Sequence, residues 1–597
     1  MEKLLRVNMT TGTVSWEEFA SLAPESERPG DHRPAGLTDG SSSSAHNGGA
    51  VPADLLGGRG LAAKILLNEV PPATDPLGPL NKLIIAPGRL AGTFASSTNR
   101  ISFGGKSPLT GGIKESNAGG MTALRLAQLG YRAVIIEGQA AERKLSALVI
   151  SAEKAWLERA EDLRGLGTIE TVKILRQRYG DKAAISLVGP AGERLLPAAG
   201  IAGTDQEGFP GRYSGRGGLG AVMAAKGLKA VVVLADGAVP RRPVDKALWD
   251  EALREYNRLL QTLPATAERF PLYGTAATLE FTNRIGALPT RNFSRGQFEQ
   301  AEAISGTRLR QIILERDGEG TPTHACMPGC LVRCSNRYAD KMGRFWVSPM
   351  EYETHALLGS NLEIGDFDQL AELTYLCNDL GLDTIETGAA IGVAMEAGLL
   401  PFGDFAGARR LIEEIGEGTI LGRLLGHGAA VAGRVLGVRR IPMVKGQAMP
   451  AYDPRGMKGN GVVYATSPMG ADHTAGNVVA VPTDHLDPRG KVELSRQLQI
   501  QAAVFDDLGL CNFVGAVWST SPETIARLVQ GLTGEPVTVE SLKDLGLDII
   551  KTELAFNRRA GLGPQDDRLP EFMREEPLPP HNSVWDIPDE ELDAIWK

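Results

Sequence analysis

Cysteine is scarce in this chain: five residues among 597, placed unevenly. That spacing excludes a disulfide framework of the kind that staples small secreted domains. Basic charge is not in excess either. The net charge is −9 and the isoelectric point near 5.6, which argues against a nucleic-acid groove and against a polybasic membrane anchor. No apolar run approaches the ~18 residues needed for a membrane span. The start, Met1-Glu-Lys-Leu-Leu-Arg-Val-Asn8, lacks the apolar core and small-residue cleavage site of a secretory signal. A cytoplasmic setting is therefore expected. Also missing are a P-loop, a nicotinamide dinucleotide fingerprint and a flavin motif.

Four of the five cysteines read as one site. Cys326, Cys330 and Cys334 stand in His324-Ala-Cys-Met-Pro-Gly-Cys-Leu-Val-Arg-Cys-Ser-Asn-Arg-Tyr338, and Cys511 closes Asp506-Asp-Leu-Gly-Leu-Cys511. Three thiolates close together and a fourth far along the chain suit a [4Fe–4S] cluster. The alternatives are a structural zinc site or buried apolar thiols. Zinc sites usually build from C-x₂-C pairs, whereas both spacings here are x₃, and Pro328-Gly329 disfavours a helix between the first two cysteines. Cys377 is left over in an apolar helical stretch and reads as core.

Glycine, at 72 of 597, is well above the usual ~7%, and two runs concentrate it. Phe103–Gly120 reads as a loop running into a helix near Met121; Gly211–Gly220 reads as a second. Glycines let backbone N–H groups approach an anion, and a helix N-terminus adds positive dipole. Arg100, Arg212 and Arg216 supply charge for phosphate. The run Asn378–Asp383 resembles Asp506–Cys511. A third Asp-Leu-Gly-Leu, at Asp544–Asp548, makes the bare motif a helix-end device as often as a ligand motif.

Length suggests three or four domains at ~150 residues each. Residues 1–235 read as β-rich, with a hairpin at Leu4–Trp16 and strands at Lys82–Ala86, Asn99–Phe103, Ala133–Glu137, Ala184–Val188 and Lys229–Leu234. Residues 27–51, rich in Pro, Gly and Ser, read as a disordered insertion. From 236 the pattern turns helical (Asp366–Leu380, Thr384–Ala397, Phe405–Ile415, Ile420–Leu436). A loop-rich stretch, Ile441–Asp487, separates 236–440 from a last helical domain, 441–597, that resumes near Val492. The segment Pro577–Pro588 reads as an extended wrap.

Lys106-Ser-Pro-Leu-Thr-Gly-Gly112, Arg216-Gly-Gly-Leu-Gly-Ala-Val222, Glu351-Tyr-Glu-Thr354, Pro450-Ala-Tyr-Asp-Pro-Arg455, Ala465-Thr-Ser-Pro468 and Asp472-His473 together resemble the tungsten-containing aldehyde:ferredoxin oxidoreductases. The likeness runs from Lys3 to about Gly563. It implies an α+β architecture, with an N-terminal β-rich pterin-binding saddle followed by two mainly α-helical domains. The implied cofactors are a tungsten (or molybdenum) bis-molybdopterin, one [4Fe–4S] cluster and Mg²⁺. By the same likeness, Arg100, Asn117, Gly119 and Arg212 would hold pterins and a phosphate-bridging Mg²⁺, with Asn117 and the Tyr213 carbonyl as Mg²⁺ contacts. Asp383, Asp506 and Leu510 would hold pterin rings. Cys326, Cys330, Cys334 and Cys511 would be the cluster ligands.

The chain departs from many members in its x₃ spacing at Cys326–Cys330, which matches a bacterial subgroup. Asn378 stands where an Asp is usual. Tyr375 and Leu424 replace residues of the interface iron site, so an iron-bridged dimer is not expected, although a homo- or hetero-oligomer remains open. The implied reaction converts a small aldehyde to a carboxylate. Glu353 is the candidate base and His473 the proton carrier, with Glu351 and His355 in reserve. Electrons would leave through the cluster to a ferredoxin or another iron–sulfur subunit. Two rivals are a tungsten subunit of an aromatic acyl-CoA reductase, which would look for a cysteine ligand to the metal, and a non-catalytic electron-relay subunit.

Overall fold

The computed structural model describes residues 2–19 and 55–597, so the expected insertion at 27–51 lies outside the described residues. Two six-stranded mixed sheets form the N-terminal part. The first holds β1 (Lys3–Asn8), β2 (Thr13–Glu18), β3 (Leu83–Pro87), β4 (Ile101–Lys106), β5 (Ile113–Ala118) and β6 (Tyr131–Glu137) in the order β2-β1-β6-β3-β4-β5. The second holds β7 (Ser146–Ile150), β8 (Ala155–Arg159), β9 (Ala184–Leu187), β10 (Ile201–Gly203), β11 (Arg212–Ser214) and β12 (Leu228–Val233) in the order β11-β10-β9-β12-β7-β8. Each contains one parallel pair, β1 with β6 and β12 with β7.

The period-two alternation of strands decides the layering. Leu83 and Ile85 of the first sheet face Val231 and Val233 of the second in one buried cluster. Ile84 and Ala86 point the other way, against the helix Gly58–Glu69 and C-terminal helices. Ala230 and Val232 meet the helix Thr168–Tyr179. The central strands are covered on both faces, which is why β3 and β12 read as unbroken apolar runs, while the edge strand β2 is largely exposed.

The edge strands β5 and β11 lie against each other and bring the two glycine-rich runs together. Here the sequence reading needs correction: Phe103–Gly120 is not a loop but the hairpin β4–β5, paired from Ile101↔Ala118 to Lys106↔Ile113. Its second strand, Ile-Lys-Glu-Ser-Asn-Ala, has little β propensity. Tertiary context overrides it, because Lys114, Glu115 and Ser116 are buried against charged partners.

The helical remainder contains Lys246–Thr262, Phe367–Leu380, Thr384–Glu396, Phe405–Glu417, Lys491–Leu508, Pro522–Thr533 and Val539–Arg559. The expected single helix over Ile420–Leu436 is two, broken at Gly428 with φ +90°. The stretch 441–487, expected to be loop, carries the buried helix Lys458–Thr466. Its glycines hid it; a Cβ on Gly461 would lie 2.4 Å from Trp585. That tryptophan belongs to the expected C-terminal wrap and is buried. An unexpected three-stranded sheet, β13 (Thr321–His324), β14 (Ser335–Ala339) and β15 (Phe345–Val347), frames the first three cysteines. Among the described residues no single helix is long and apolar enough to cross a membrane.

Candidate active site and cluster site

Cys326, Cys330 and Cys334 occupy the connection between β13 and β14, which turns at Gly329 with φ +75°. Hydrogen bonds fix this loop to the first sheet: Gly120 N donates to Cys326 O at 3.1 Å, and Leu331 N to Ser96 Oγ at 2.9 Å. Cys511 enters from the far end of the chain, its N–H donating to Ser97 O at 2.9 Å, while Ser97 Oγ lies 3.5 Å from Cys330 Sγ. All five cysteines are free thiols. The Cys326 thiol is pushed up, chiefly by its hydrogen bond to Cys330, whose own pKa falls in return. Burial raises Cys334 and Cys511, and neighbouring thiols add to it. The four thiols thus influence one another, Cys330 and Cys511 buried and Cys326 and Cys334 partly so, and a cationic iron–sulfur core would relieve the repulsion among their thiolates. Gly119 borders it closely, since a Cβ there would lie 3.0 Å from Cys326 Sγ. Cys377 stands apart in the apolar core, as expected.

Arg100 connects this pocket to the hairpin. Its Nε donates to Asn117 Oδ1 at 2.5 Å and its Nη2 to Asn117 O at 3.2 Å. Its acidic neighbours are Cys511, Cys326, Asp506 and Glu115. Asn117 Nδ2 in turn donates to Asp506 Oδ1 at 3.0 Å. Burial lifts Asp506 to about 6 even though Arg59, at 3.2 Å, and Arg100 oppose it. Arg212 donates to Ser335 Oγ (2.9 Å) and Ser348 Oγ (3.0 Å), leaving Nε buried without a partner. The Tyr213 hydroxyl donates to Asn378 O, so its side chain is engaged away from any phosphate.

Asp383 caps the helix Thr384–Glu396 and pairs with Arg216 at 3.2 Å. The repeated hexapeptides thus place an aspartate beside a buried arginine in both copies, Asp383 with Arg216 and Asp506 with Arg59. Each copy turns on a left-handed glycine, Gly381 or Gly509. The third copy needs correction. Asp544–Asp548 lies inside the helix Val539–Arg559, where Gly546 admits the close approach of Ile500 O. Leu510 is fully buried, its N–H bonded to Phe505 O. These residues offer buried cations with orphaned donors and a glycine cradle, a donor set suited to an anionic, phosphate-bearing cofactor.

Glu353 and His473 do come together. Glu353 Oε2 accepts from Ala451 N at 2.8 Å, and Oε1 is buried, unbonded, 3.6 Å from His473 Nε2. Burial raises the Glu353 pKa, with His473 and Arg216 opposing. Tyr452 stacks obliquely on His473, ring centroids 6.2 Å apart. The reserves fare differently. Glu351 lies near the thiols of Cys334 and Cys511, and no hydrogen bond or ion pair joins it to His473 among the described residues. His355 is buried in the core edge-on to Phe367, 5.1 Å between centroids, and burial holds its pKa at about 3. It is a core residue and not part of the Glu353–His473 pair.

Sequence reasoning missed three buried groups. Lys114 on β5 pairs with Asp472, whose carboxyl is held far below the carboxylate range despite burial. Arg59 is clasped by Glu553 at 2.8 Å. Glu386 accepts from Ala429 N (3.0 Å) and Ala448 N (2.9 Å), and burial lifts it to about 7. Only Asp472, inside a quoted motif, carried a signal.

The profile of the aldehyde ferredoxin oxidoreductase N-terminal domain matches residues 36–235, and that of its domains 2 and 3 matches residues 251–596. The tungsten-containing aldehyde ferredoxin oxidoreductase of Pyrococcus furiosus is 34% identical over 97% of this chain and 92% of its own length. That of Thermococcus kodakarensis is 33% identical with the same coverage. The aliphatic sulfonate oxidoreductase, WOR-like subunit, of Pyrococcus furiosus is 28% identical over 88% of the chain and 85% of its length. Among solved structures, the active site complex BamBC of benzoyl coenzyme A reductase superposes with a TM-score of 0.77 at 20% identity. That match covers 99% of this chain and 92% of the other, a likeness of fold. These matches make the protein an oxidoreductase of the tungsten–pterin class. It belongs to the aldehyde ferredoxin oxidoreductase family.

Proposed function

We propose that this chain oxidises small aldehydes to carboxylates and passes the electrons through one [4Fe–4S] cluster to a ferredoxin-like partner. The observation that carries the reading is the Glu353–His473 pair, a largely enclosed carboxylate whose buried, unbonded oxygen lies 3.6 Å from an imidazole. When bound, the tungsten bis-pterin supplies two-electron redox chemistry at the substrate carbon, and the cluster supplies one-electron exit. Cys326, Cys330, Cys334 and Cys511 would hold the cluster. Arg100, Asn117, Gly119, Arg212, Asp383, Asp506 and Leu510 would hold the pterins. Asn117 and the Tyr213 carbonyl would contact a bridging Mg²⁺; for Asn117 this requires its Oδ1 to exchange the Arg100 hydrogen bond for the ion.

Glu353 would take the proton of an aldehyde hydrate, and its raised pKa brings it nearer the operating range of a general base. His473 would relay that proton outward, its ring one-fifth exposed where the glutamate is more enclosed. Glu351, beside Cys334 and Cys511, would act on the cluster's electrostatics rather than on substrate. We place the protein in the cytoplasm, where five free thiols stay reduced. We divide it at about residues 235 and 440.

The deciding experiment measures tungsten or molybdenum and iron per chain alongside aldehyde-dependent viologen reduction. About one W or Mo with four Fe, and turnover, supports the reading. Iron without tungsten or molybdenum would favour an electron-relay subunit, and ring reduction of an aromatic acyl-CoA without aldehyde turnover would favour the other rival.

A further inference from the structure

Behind the cofactor hairpin lies a cluster of side chains that the proposed reaction does not use. Asp205 and Glu207 sit in the turn between β10 and β11, and His324 ends β13, two residues before Cys326. One ligand atom from each of the three lies within 4.8 Å of the others. Glu207 Oε2 is 2.9 Å from His324 Nε2, and Gln206 Nε2 latches the turn to Ala325 O at 3.1 Å.

The turn's own hydrogen bonds leave a residue of unused chemistry. Asp205 Oδ1 accepts from Glu207 N (3.1 Å) and Phe209 N (2.9 Å), which fixes the carboxylate. Its other oxygen, Oδ2, is buried without a hydrogen bond on a side chain only 2% exposed. The guanidinium of Arg212, 3.9 Å away, is beyond hydrogen-bond reach. The second ring nitrogen of His324, Nδ1, is likewise buried and unpartnered on a residue 7% exposed. Orphaned buried acceptors of this kind are rare and destabilising unless something meets them. Two carboxylates and an imidazole match the charge and the donor preferences of a divalent first-row ion better than those of Mg²⁺ or Ca²⁺, which favour oxygen-only shells. Glu207, about half exposed, leaves a coordination position open to water.

We propose that Asp205, Glu207 and His324 bind one divalent transition ion, zinc by preference, separate from the cluster and from the pterin-bridging Mg²⁺. The ion staples the β10–β11 turn to the strand that delivers Cys326. The same turn begins at Thr204, whose carbonyl accepts from Met121 N directly after the glycines of the hairpin. It therefore ties three backbone segments around the sulfurs from outside.

The test is equilibrium dialysis of the holoprotein, with tungsten and four irons verified, against Zn²⁺, followed by elemental analysis and zinc-edge X-ray absorption. The expected result is one zinc per chain with nitrogen and oxygen scatterers at about 2.0–2.1 Å. Glu207→Gln keeps a hydrogen-bonding amide on an exposed side chain and should weaken zinc at least tenfold with tungsten and iron unchanged. Glu207→His should restore it. No zinc uptake by the unaltered protein, sulfur scattering at about 2.3 Å, or full binding by Glu207→Gln would overturn the proposal. None of these outcomes depends on which substrate is oxidised.

Discussion

Glu353 Oε1 lies 3.6 Å from His473 Nε2, while the other carboxylate oxygen is pinned by the backbone N–H of Ala451. One oxygen is held and the other is free to exchange a proton. Glu353→Gln keeps the size and the Ala451 contact but removes the base. Turnover should fall by ~10²–10⁴, the usual share of general base catalysis, with tungsten and iron content unchanged. Because burial raises its pKa, the acid limb of kcat/KM should lie above the ~4.3 of an unperturbed glutamate, and activity should be lost as pH falls through it.

Gly119 faces Cys326 so closely that a Cβ would sit 3.0 Å from the sulfur and 3.1 Å from Met327 Cε. Gly119→Val should push the loop outward. Iron per chain should drop below four, with loss of the cluster's visible absorption, and wild-type iron content in this variant would refute the closeness of the two sites.

Lys114 and Asp472 form a fully buried ion pair. Lys114→Met takes the directly bonded cation from a buried carboxylate, leaving only Arg216 and His473 to offset its charge, and should destabilise by about 3 kcal/mol in denaturant unfolding. The double variant Lys114→Met with Asp472→Asn should recover part of that loss. It should not recover activity, because Asp472 adjoins His473.

His355 is kept neutral by burial, with a folded pKa near 3 against 6.5 when unfolded. The unfolded chain therefore binds one more proton between those values. Stability from this group is complete above about pH 6.5 and is lost as pH falls toward 3. His355→Phe should flatten that part of the stability profile, measured by denaturant midpoints across the range.

Cys377 sits in the apolar core at the end of the helix Phe367–Leu380. Cys377→Ala should leave tungsten and iron at wild-type levels with only a modest fall in stability. Loss of tungsten would instead support the acyl-CoA reductase reading, in which a cysteine ligates the metal.

Much of this architecture was legible in the sequence for definite reasons. Strands such as β3 and β12 announced themselves because both their faces are buried, and helices such as Phe405–Glu417 because one face is. The cysteine loop was readable from residue type, and Glu353 and His473 were singled out through the family resemblance; that the two side chains meet is a finding of the fold. What escaped was structure whose local preferences contradict its state. β5 is polar yet buried, and Lys458–Thr466 is glycine-rich yet helical because Trp585 and Val478 press on it. Lys114 and Arg59 escaped because nothing local distinguishes a cation that will meet its carboxylate hundreds of residues away. Glu351 and Glu353 are two residues apart, and only the fold sends one to the sulfurs and the other to the imidazole.

The segment Asp507–Leu508 is stitched to the first sheet by backbone hydrogen bonds from Arg89 and Leu90, and Gly509 packs on Gly88 with no room for a side chain. This junction carries Cys511, and it imposes an order on biogenesis. During synthesis the first three sulfurs leave the ribosome long before the fourth. The backbone that packs on Gly88 arrives with the same late segment as the last sulfur. On the ligand set proposed above, a cluster could be completed only on a nearly finished chain, and a truncated product would lack the fourth sulfur.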